Sequence, residues 1–246
     1  MVEVRYFPLI LVALLSACSS EPPAPAPVEE TSSVEVTPPP ESPDALPSLP
    51  DEVAGVWAAA DSQGKPFDLV LFPNGQAVST RVDTPSGARG QRGFWRRDGD
   101  AVVVMFERGW TDRLRAVSDG IVHETLTPGS AVRAMPSATS TARHLETPEA
   151  AFVGVWRLNR EPDGSYLYVL LRSDRSAFST IGGMTAGRWE PRDKGAWAIW
   201  PDGWNDLIEP GSQGWQKKAW VGAELQTLAD LTEAERVGEK PFEITP

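Results

Sequence analysis

Two copies of a short motif contain the residue types that could do chemistry in this 246-residue chain. The motif is Gly-Trp-x-Asp, at residues 109–112 and again at 203–206. A tryptophan ring offers a flat apolar face and a carboxylate two residues later offers paired acceptors, so together they could hold a sugar ring or a peptide. In the structural alternative, glycine permits a turn, tryptophan closes the end of a barrel and aspartate accepts backbone N–H groups in an Asx-type turn. Because buried aromatic side chains outnumber binding platforms in small barrels, the motif favours the structural interpretation.

The other residues give little indication of catalysis. The two histidines, His123 and His144, have no partner at metal-ligand spacing. His123 precedes Glu124 on a predicted strand, where adjacent side chains point to opposite faces, so we expect an ordinary surface or half-buried imidazole. No nucleophile elbow, phosphate-binding loop, EF-hand or zinc motif occurs. A hydrolase would need a carboxylate pair or a serine-based site assembled from distant residues, so we expect no enzyme activity, no cofactor and no metal site.

The only cysteine, Cys18, points to attachment at a membrane. It follows a short apolar run, and the tetrad Leu15-Ser16-Ala17-Cys18 resembles the lipobox of bacterial lipoproteins. The resemblance implies that residues 1–17 are a cleaved signal peptide and that Cys18 carries a diacylglyceryl group and an amide-linked chain such as palmitate. More than one acyl chain makes such an anchor stable. The alternative is a simple cleaved signal with an incidental cysteine.

Residues 18–52 form an acidic tether by composition. From Ser19 onward they contain ten of the 23 prolines and eight Asp or Glu residues, with no Lys or Arg. Such a segment cannot bury a core and repels itself, so we expect it to be disordered and extended. It accounts for most of the formal net charge of −11 and leaves about −3 for the rest. No basic surface suggests nucleic acid as a partner.

The remainder of the chain contains an internal repeat. Trp95, residues 109–112 and Gly120 recur at a constant offset of 94, and Gly55-Val56-Trp57 recurs as Gly154-Val155-Trp156. We therefore expect one β repeat at 53–134, a linker at 135–149 and a second β repeat at 150–228. The tail, 229–246, includes a capping-box spacing that predicts a short helical turn at 232–237.

Strand and turn signals within each copy predict the fold class. Asn74-Gly75 and similar turn residues separate six or seven short β-prone segments, so we expect a mainly β fold of two tandem antiparallel meanders or small barrels that pack on each other. Residues 101–106 are apolar on both strand faces, which makes that strand the predicted contact between repeats. The order of Gly-x-Trp, strands and Asn-Gly resembles the lipocalin-like small barrels of bacterial envelope lipoproteins.

These features predict a lipid-anchored cell-envelope protein that acts without catalysis, as an interaction or scaffolding subunit of a membrane-associated assembly. The alternative is a lipocalin-like binder of a small amphiphile or glycan. The lipid on Cys18 would provide the membrane contact, and Ser19 implies the outer membrane rather than the inner one, facing the periplasm or cell surface. We expect a protein partner in the envelope and no nucleic acid. Seven of the ten tryptophans lie in the second copy, and the predicted contact residues are Trp110, Asp112, Trp200, Trp204 and Asp206.

Overall fold

The computed structural model describes residues 48–82, 87–160, 164–181, 183–222 and 230–242. The predicted signal peptide, Cys18 and residues 18–47 of the predicted tether lie outside the described residues. No helix in the described ranges is both long enough and apolar enough to cross a membrane.

Two closed eight-stranded antiparallel barrels follow one another along the chain. Barrel 1 consists of β1 (Gly55–Ala60), β2 (Pro66–Leu71), β3 (Gln76–Ser79), β4 (Gln91–Asp98), β5 (Ala101–Phe106), β6 (Thr111–Val117), β7 (Gly120–Leu126) and β8 (Ala138–Leu145). Barrel 2 consists of β9 (Gly154–Arg160), β10 (Tyr166–Leu171), β11 (Ser176–Ser179), β12 (Thr185–Arg192), β13 (Gly195–Ile199), β14 (Trp204–Gly211), β15 (Gly214–Val221) and β16 (Asp230–Arg236). Short 3-10 helices span Gly87–Arg89 and Pro148–Ala151. The predicted fold class, mainly β with two mutually packed barrel repeats, is confirmed.

Each barrel has one or two strands more than the sequence predicts. Residues 135–149 are not a linker, because β8 lies within them and pairs with β1, for example Val56 with Leu145. The predicted helical turn at 232–237 is also wrong, because β16 occupies most of that segment and pairs with both β15 and β9. A barrel closes only when its last strand meets its first, so closure recruits segments of weak local preference.

Four tryptophans fill the barrel interiors in repeated positions. Trp57 and Trp156 are fully buried, and their indole N–H groups donate to Val53 O and Phe152 O, each at 2.9 Å. At the second Gly-x-Trp position of each copy, Trp95 Nε1 donates to Phe72 O at 2.7 Å and Trp189 Nε1 donates to Arg172 O at 2.6 Å. The glycine before this second tryptophan has a steric role, because a Cβ on Gly187 would lie 2.6 Å from Ile199 O. The repeated motif therefore builds the filled interior of each barrel.

The barrels pack through the outer faces of their first strands. Val56, Val70 and Val78 of barrel 1 belong to one hydrophobic cluster with Val155 and neighbouring residues of barrel 2. The two surfaces approach closely, since a Cβ on Gly90 would lie 2.7 Å from Cγ2 of Val155. The contact is therefore formed by β1, β2 and β3 together with the start of barrel 2.

The prediction that residues 101–106 make this contact is wrong. Val102, Val104 and Phe106 point into barrel 1 and belong to its interior cluster. On the outer face of the same strand, Val103 pairs in register with Arg113, whose Nη1 donates to Val132 O at 2.7 Å. The connection between β7 and β8 thus lies on this side of the barrel, which explains the second apolar face of the strand.

A buried aspartate joins the two barrels. Asp68 on β2 is fully buried, and its carboxylate accepts hydrogen bonds from the backbone N–H of Ser173, at 3.0 Å, and from the Ser173 hydroxyl. Beside it, Arg172 donates through Nε and Nη2 to Thr80 O at 3.1 and 2.9 Å. Burial raises the pKa of Asp68 above its ordinary value, although the bonds from Ser173 oppose the rise.

We predict that Asp68→Asn lowers the free energy of unfolding at neutral pH by about 1–3 kcal/mol, because an amide group cannot accept both Ser173 bonds. The folded carboxyl takes up a proton at a higher pH than the unfolded one. The stabilisation that Asp68 gains from this pKa difference is therefore complete below the ordinary carboxyl pKa of about 3.9. It declines as pH rises through the raised folded pKa. Urea unfolding between neutral pH and about pH 4 should show the advantage of the wild type over Asp68→Asn growing on acidification. Asp119→Asn, at an exposed position, is the control. If the stability advantage of the wild type over Asp68→Asn stays constant or shrinks on acidification, the raised pKa of Asp68 is contradicted.

Candidate functional site

The aspartates of the two Gly-Trp-x-Asp motifs point into the barrels at equivalent places. Asp112 on β6 pairs in register with the interior residue Val104, and Asp206 on β14 pairs with the buried Ala198. Asp112 is fully buried and Asp206 is 5% exposed. Alternation along a strand places Trp204 on the same face as Asp206, nearer the end of the strand. Each motif therefore puts a carboxylate just inside a barrel and a tryptophan near its end.

These aspartates do not form the Asx-type turns of the structural interpretation. In barrel 2 the turn acceptor is Asp202, whose Oδ1 accepts the backbone N–H of Trp204 at 3.1 Å. Asp206 instead accepts the indole N–H of Trp200, with 2.7 Å between Nε1 and Oδ2. Trp200 is 6% exposed and lies inside the barrel, whereas Trp204 is 43% exposed. Of these two predicted contact residues, Trp200 therefore lies in the core and Trp204 at the surface.

A buried lysine faces the Asp206 carboxylate. Lys217 on β15 is 6% exposed, and its Nζ lies 3.6 Å from Asp206 Oδ1. Burial raises the pKa of Asp206 above its ordinary value, although the positive charge of Lys217 and the bond from Trp200 oppose the rise. These side chains line a cavity of about 210 Å³ that Trp204 also lines. This end of barrel 2 therefore combines an aromatic surface with a buried ion pair.

Barrel 1 contains the counterpart of this arrangement. Asp112 Oδ1 accepts the Thr125 hydroxyl at 3.1 Å and lies 3.2 Å from His123 Nε2, while Asp112 Oδ2 lies 3.5 Å from Arg81 Nη2. Arg81, Thr125 and Trp110 line a cavity of about 320 Å³ at this end of the barrel. Trp110 is half-buried, so its ring is less open to solvent than that of Trp204.

The prediction for His123 is wrong, because its side chain is 2% exposed and lies inside barrel 1. The repeat offset of 94, which relates Asp112 to Asp206, also relates His123 to Lys217. Both residues provide a nitrogen that faces the equivalent aspartate from the next strand. The offset in the sequence was the signal that could have identified these two residues as partners of the motif. As predicted, the side chains of His123 and Glu124 point to opposite faces of the strand. Glu124 forms an ion pair with Arg113 on the outer face.

Ser140, His123 and Asp112 lie in a row that has the residue types of a catalytic triad. Ser140 Oγ is 3.2 Å from His123 Nδ1, and the other ring nitrogen faces Asp112. The Ser140 hydroxyl, however, donates its proton to Ala60 O at 2.8 Å. A nucleophilic serine must direct that proton to the imidazole. The geometry therefore fits a structural link between β7, β8 and the end of β1.

Four exposed apolar residues lie at one end of barrel 2. Of the eight large hydrophobic residues that are exposed in the described part of the chain, Ile181 and Met184 lie between β11 and β12, Trp204 begins β14 and Val221 ends β15. These four residues are called the rim. Trp204 pairs in register with Val221, while Ile181 lines the same cavity as Trp204. The repeated motif predicted only Trp204 among these residues, because the other three are scattered along the chain. Closure of the barrel brings the connection between β11 and β12 next to the ends of β14 and β15.

The described ranges add no metal centre to this site, because no three His, Cys, Asp or Glu side chains within them are grouped as ligands. The candidate site is therefore defined by the arrangement of side chains at the two barrel ends. Comparison with protein-family models, with curated proteins and with solved structures finds no match to this chain.

Proposed function

We propose that this chain is a lipid-anchored cell-envelope protein that binds a protein partner through the rim of barrel 2. In this proposal Cys18 carries the lipid, the acidic tether separates the barrels from the membrane, and the outer membrane is the favoured location. The protein acts as an interaction or scaffolding subunit and not as a catalyst. The observation that carries the proposal is the grouping of Ile181, Met184, Trp204 and Val221 at one barrel end.

The composition of the rim supports a protein partner. Tryptophan and methionine are enriched where proteins bind each other, and energetically dominant contacts are often tryptophans beside a pocket. The rim surrounds a cavity of about 210 Å³ with the Asp206–Lys217 pair inside it. A partner could place one side chain in this cavity while apolar residues cover the rim. The grouping of exposed apolar residues at one place is typical of an interaction surface.

The filled interior of barrel 2 argues against a deep amphiphile site. Trp156 and Trp189 are buried within it, and the rim cavity of about 210 Å³ is smaller than the roughly 300–1,000 Å³ that small-molecule pockets usually enclose. A glycan is the second candidate, because a cavity with Trp204 at its edge and hydrogen-bonding groups from Asp206 and Lys217 offers the chemistry that a single sugar ring requires. A glycan would be bound by the same residues as the protein partner.

We predict that Trp204→Ala weakens partner binding by about tenfold or more, because the substitution removes the largest apolar contact of the rim. The test is affinity purification of the tagged full chain from detergent-solubilised membranes, with quantitation of the partner recovered with each variant. Cys18→Ala is run in parallel and should lose the partner if assembly requires the lipid.

Met135→Ala is the matched control, because Met135 is a 90% exposed apolar residue on barrel 1. It should recover the partner as well as the wild type does. Equal recovery with Trp204→Ala and wild type would exclude the rim as the contact. The glycan binder replaces the interaction subunit if no partner is recovered and glycan fragments change the tryptophan fluorescence of the wild type but not that of Trp204→Ala.

A further inference from the structure

A cleft of about 540 Å³ lies between the two barrels, away from the rim, and positively charged residues outnumber acidic ones in its lining. One wall comes from the start of β4 and the connection after β5, and the other comes from β9, β10 and the segment after β16. Five cationic side chains line it: Arg89, Arg92, Arg108, Arg157 and Lys240. Two carboxylates, Glu107 and Glu235, lie among them.

The two carboxylates are already paired within the cleft. Glu235 Oε2 lies 2.7 Å from Arg157 Nη2 and 3.7 Å from Lys240 Nζ. Glu107 Oε1 lies 3.2 Å from Arg92 Nη2. In the part of the chain that the structure describes, no carboxylate is within ion-pair distance of Arg89 or Arg108. The cleft thus has an excess of positive charge in a protein whose formal net charge is −11.

Aromatic rings hold two of the guanidinium groups in place. Arg89 Cζ lies 5.5 Å from the ring centroid of Tyr168, and Arg92 Cζ lies 5.3 Å from that of Phe242. A guanidinium group stacked on a ring keeps its N–H edge available to donate, and that planar edge matches the oxygens of a phosphate group. The edge of Arg92 is paired with Glu107, whereas that of Arg89 meets no carboxylate among the described residues. Pre-oriented arginine side chains lose less conformational entropy when they bind an anion.

We infer that the cleft between the barrels binds a ligand that carries phosphate groups, with Arg89 and Arg108 as its principal donors. Two guanidinium groups that meet no carboxylate among the described residues favour a ligand with at least two negative charges. The ligand chemistry is the same whether the phosphate belongs to a soluble compound or to a lipid headgroup. This site is separate from the rim of barrel 2 and does not depend on the proposed partner.

Pyrophosphate is the probe for a soluble ligand. Its affinity for the full chain carrying Cys18→Ala is measured by calorimetry at about 50 mM salt. The double variant Arg89→Gln/Arg108→Gln should bind pyrophosphate about tenfold or more weakly. Arg133→Gln/Arg143→Gln is the matched control, because it makes the same change in net charge at exposed positions of barrel 1 outside the cleft. Trp204→Ala should retain the wild-type affinity.

Sedimentation with phosphatidylglycerol vesicles, and with phosphatidylcholine vesicles for comparison, tests the lipid form. A lipid headgroup is the source of the phosphate if the protein with an unsubstituted cleft binds vesicles but not pyrophosphate, and if Arg89→Gln/Arg108→Gln loses the vesicle binding. Pyrophosphate binding without vesicle binding identifies a soluble ligand. Equal losses in the cleft and control variants, or no saturable binding of either probe by the unsubstituted cleft, would overturn the inference.

Discussion

Trp189→Ala should lower the free energy of unfolding by about 3–5 kcal/mol, which is a large part of the stability of an ordinary domain. Trp189 is 1% exposed, so truncation leaves a large cavity inside barrel 2. It also removes the indole N–H that donates to Arg172 O at 2.6 Å and the ring that Arg175 covers at 4.4 Å. The measurement is equilibrium unfolding in urea, followed by circular dichroism and tryptophan fluorescence.

Two further substitutions separate packing from hydrogen bonding. Trp189→Phe keeps an aromatic ring in the core but leaves Arg172 O without its indole donor, so we expect a loss of about 1–3 kcal/mol. Trp204→Ala should change stability by less than about 1 kcal/mol, because Trp204 is 43% exposed. Equal losses for Trp189→Ala and Trp204→Ala would show that barrel 2 does not depend on its interior tryptophan.

Lys217→Met should cost about 3 kcal/mol or more at neutral pH, because it leaves the Asp206 carboxylate buried without its cation. Asp206 and Lys217 are 5% and 6% exposed, so solvent screens neither group effectively. The loss should shrink as pH falls. Burial already raises the pKa of Asp206, and uptake of a proton removes the uncompensated charge.

The double variant Asp206→Asn/Lys217→Met tests whether the two residues act as a pair. Asparagine keeps an oxygen acceptor for Trp200 Nε1, so the double variant should recover most of the stability that Lys217→Met loses. The coupling energy comes from a double-mutant cycle in urea. Strictly additive effects of the two single substitutions would show that the 3.6 Å contact carries no net interaction.

The ion pair and the rim can be tested independently. Asp206→Asn/Lys217→Met changes the charged end of the cavity and leaves the rim residues in place, whereas Trp204→Ala changes the rim alone. A protein partner that inserts a polar side chain should respond to both. A partner that covers only apolar surface should respond only to Trp204→Ala.

Sequence patterns predicted most of the hairpins because turn chemistry is local. Asn74-Gly75 lies between β2 and β3 as predicted, and Gly75 adopts a φ of 83°, which glycine tolerates without strain. The constant offset of 94 likewise predicted two copies of one unit. The strands β8 and β16 were missed because their short or polar side chains give no clear apolar alternation.

The candidate site was likewise predicted only in part. The motif at 203–206 identified Trp204 and Asp206, since a repeated cluster of residue types is visible without coordinates. The partners of Asp206 were not identified, because hydrogen bonding between strands brings Lys217 from the neighbouring strand. The rim was also missed, since Ile181 and Met184 reach it only after the sheet has curved into a barrel.

Composition, turn residues and repeated motifs were therefore sufficient to predict an all-β, two-copy protein with an acidic N-terminal segment, because these properties depend on neighbouring residues. Eight-stranded closure, the packing of β2 against the start of barrel 2, and the burial of His123 depend on pairings between residues far apart in the chain. Such pairings are selected by the best burial of apolar surface over the whole molecule, and no local window of sequence contains that information.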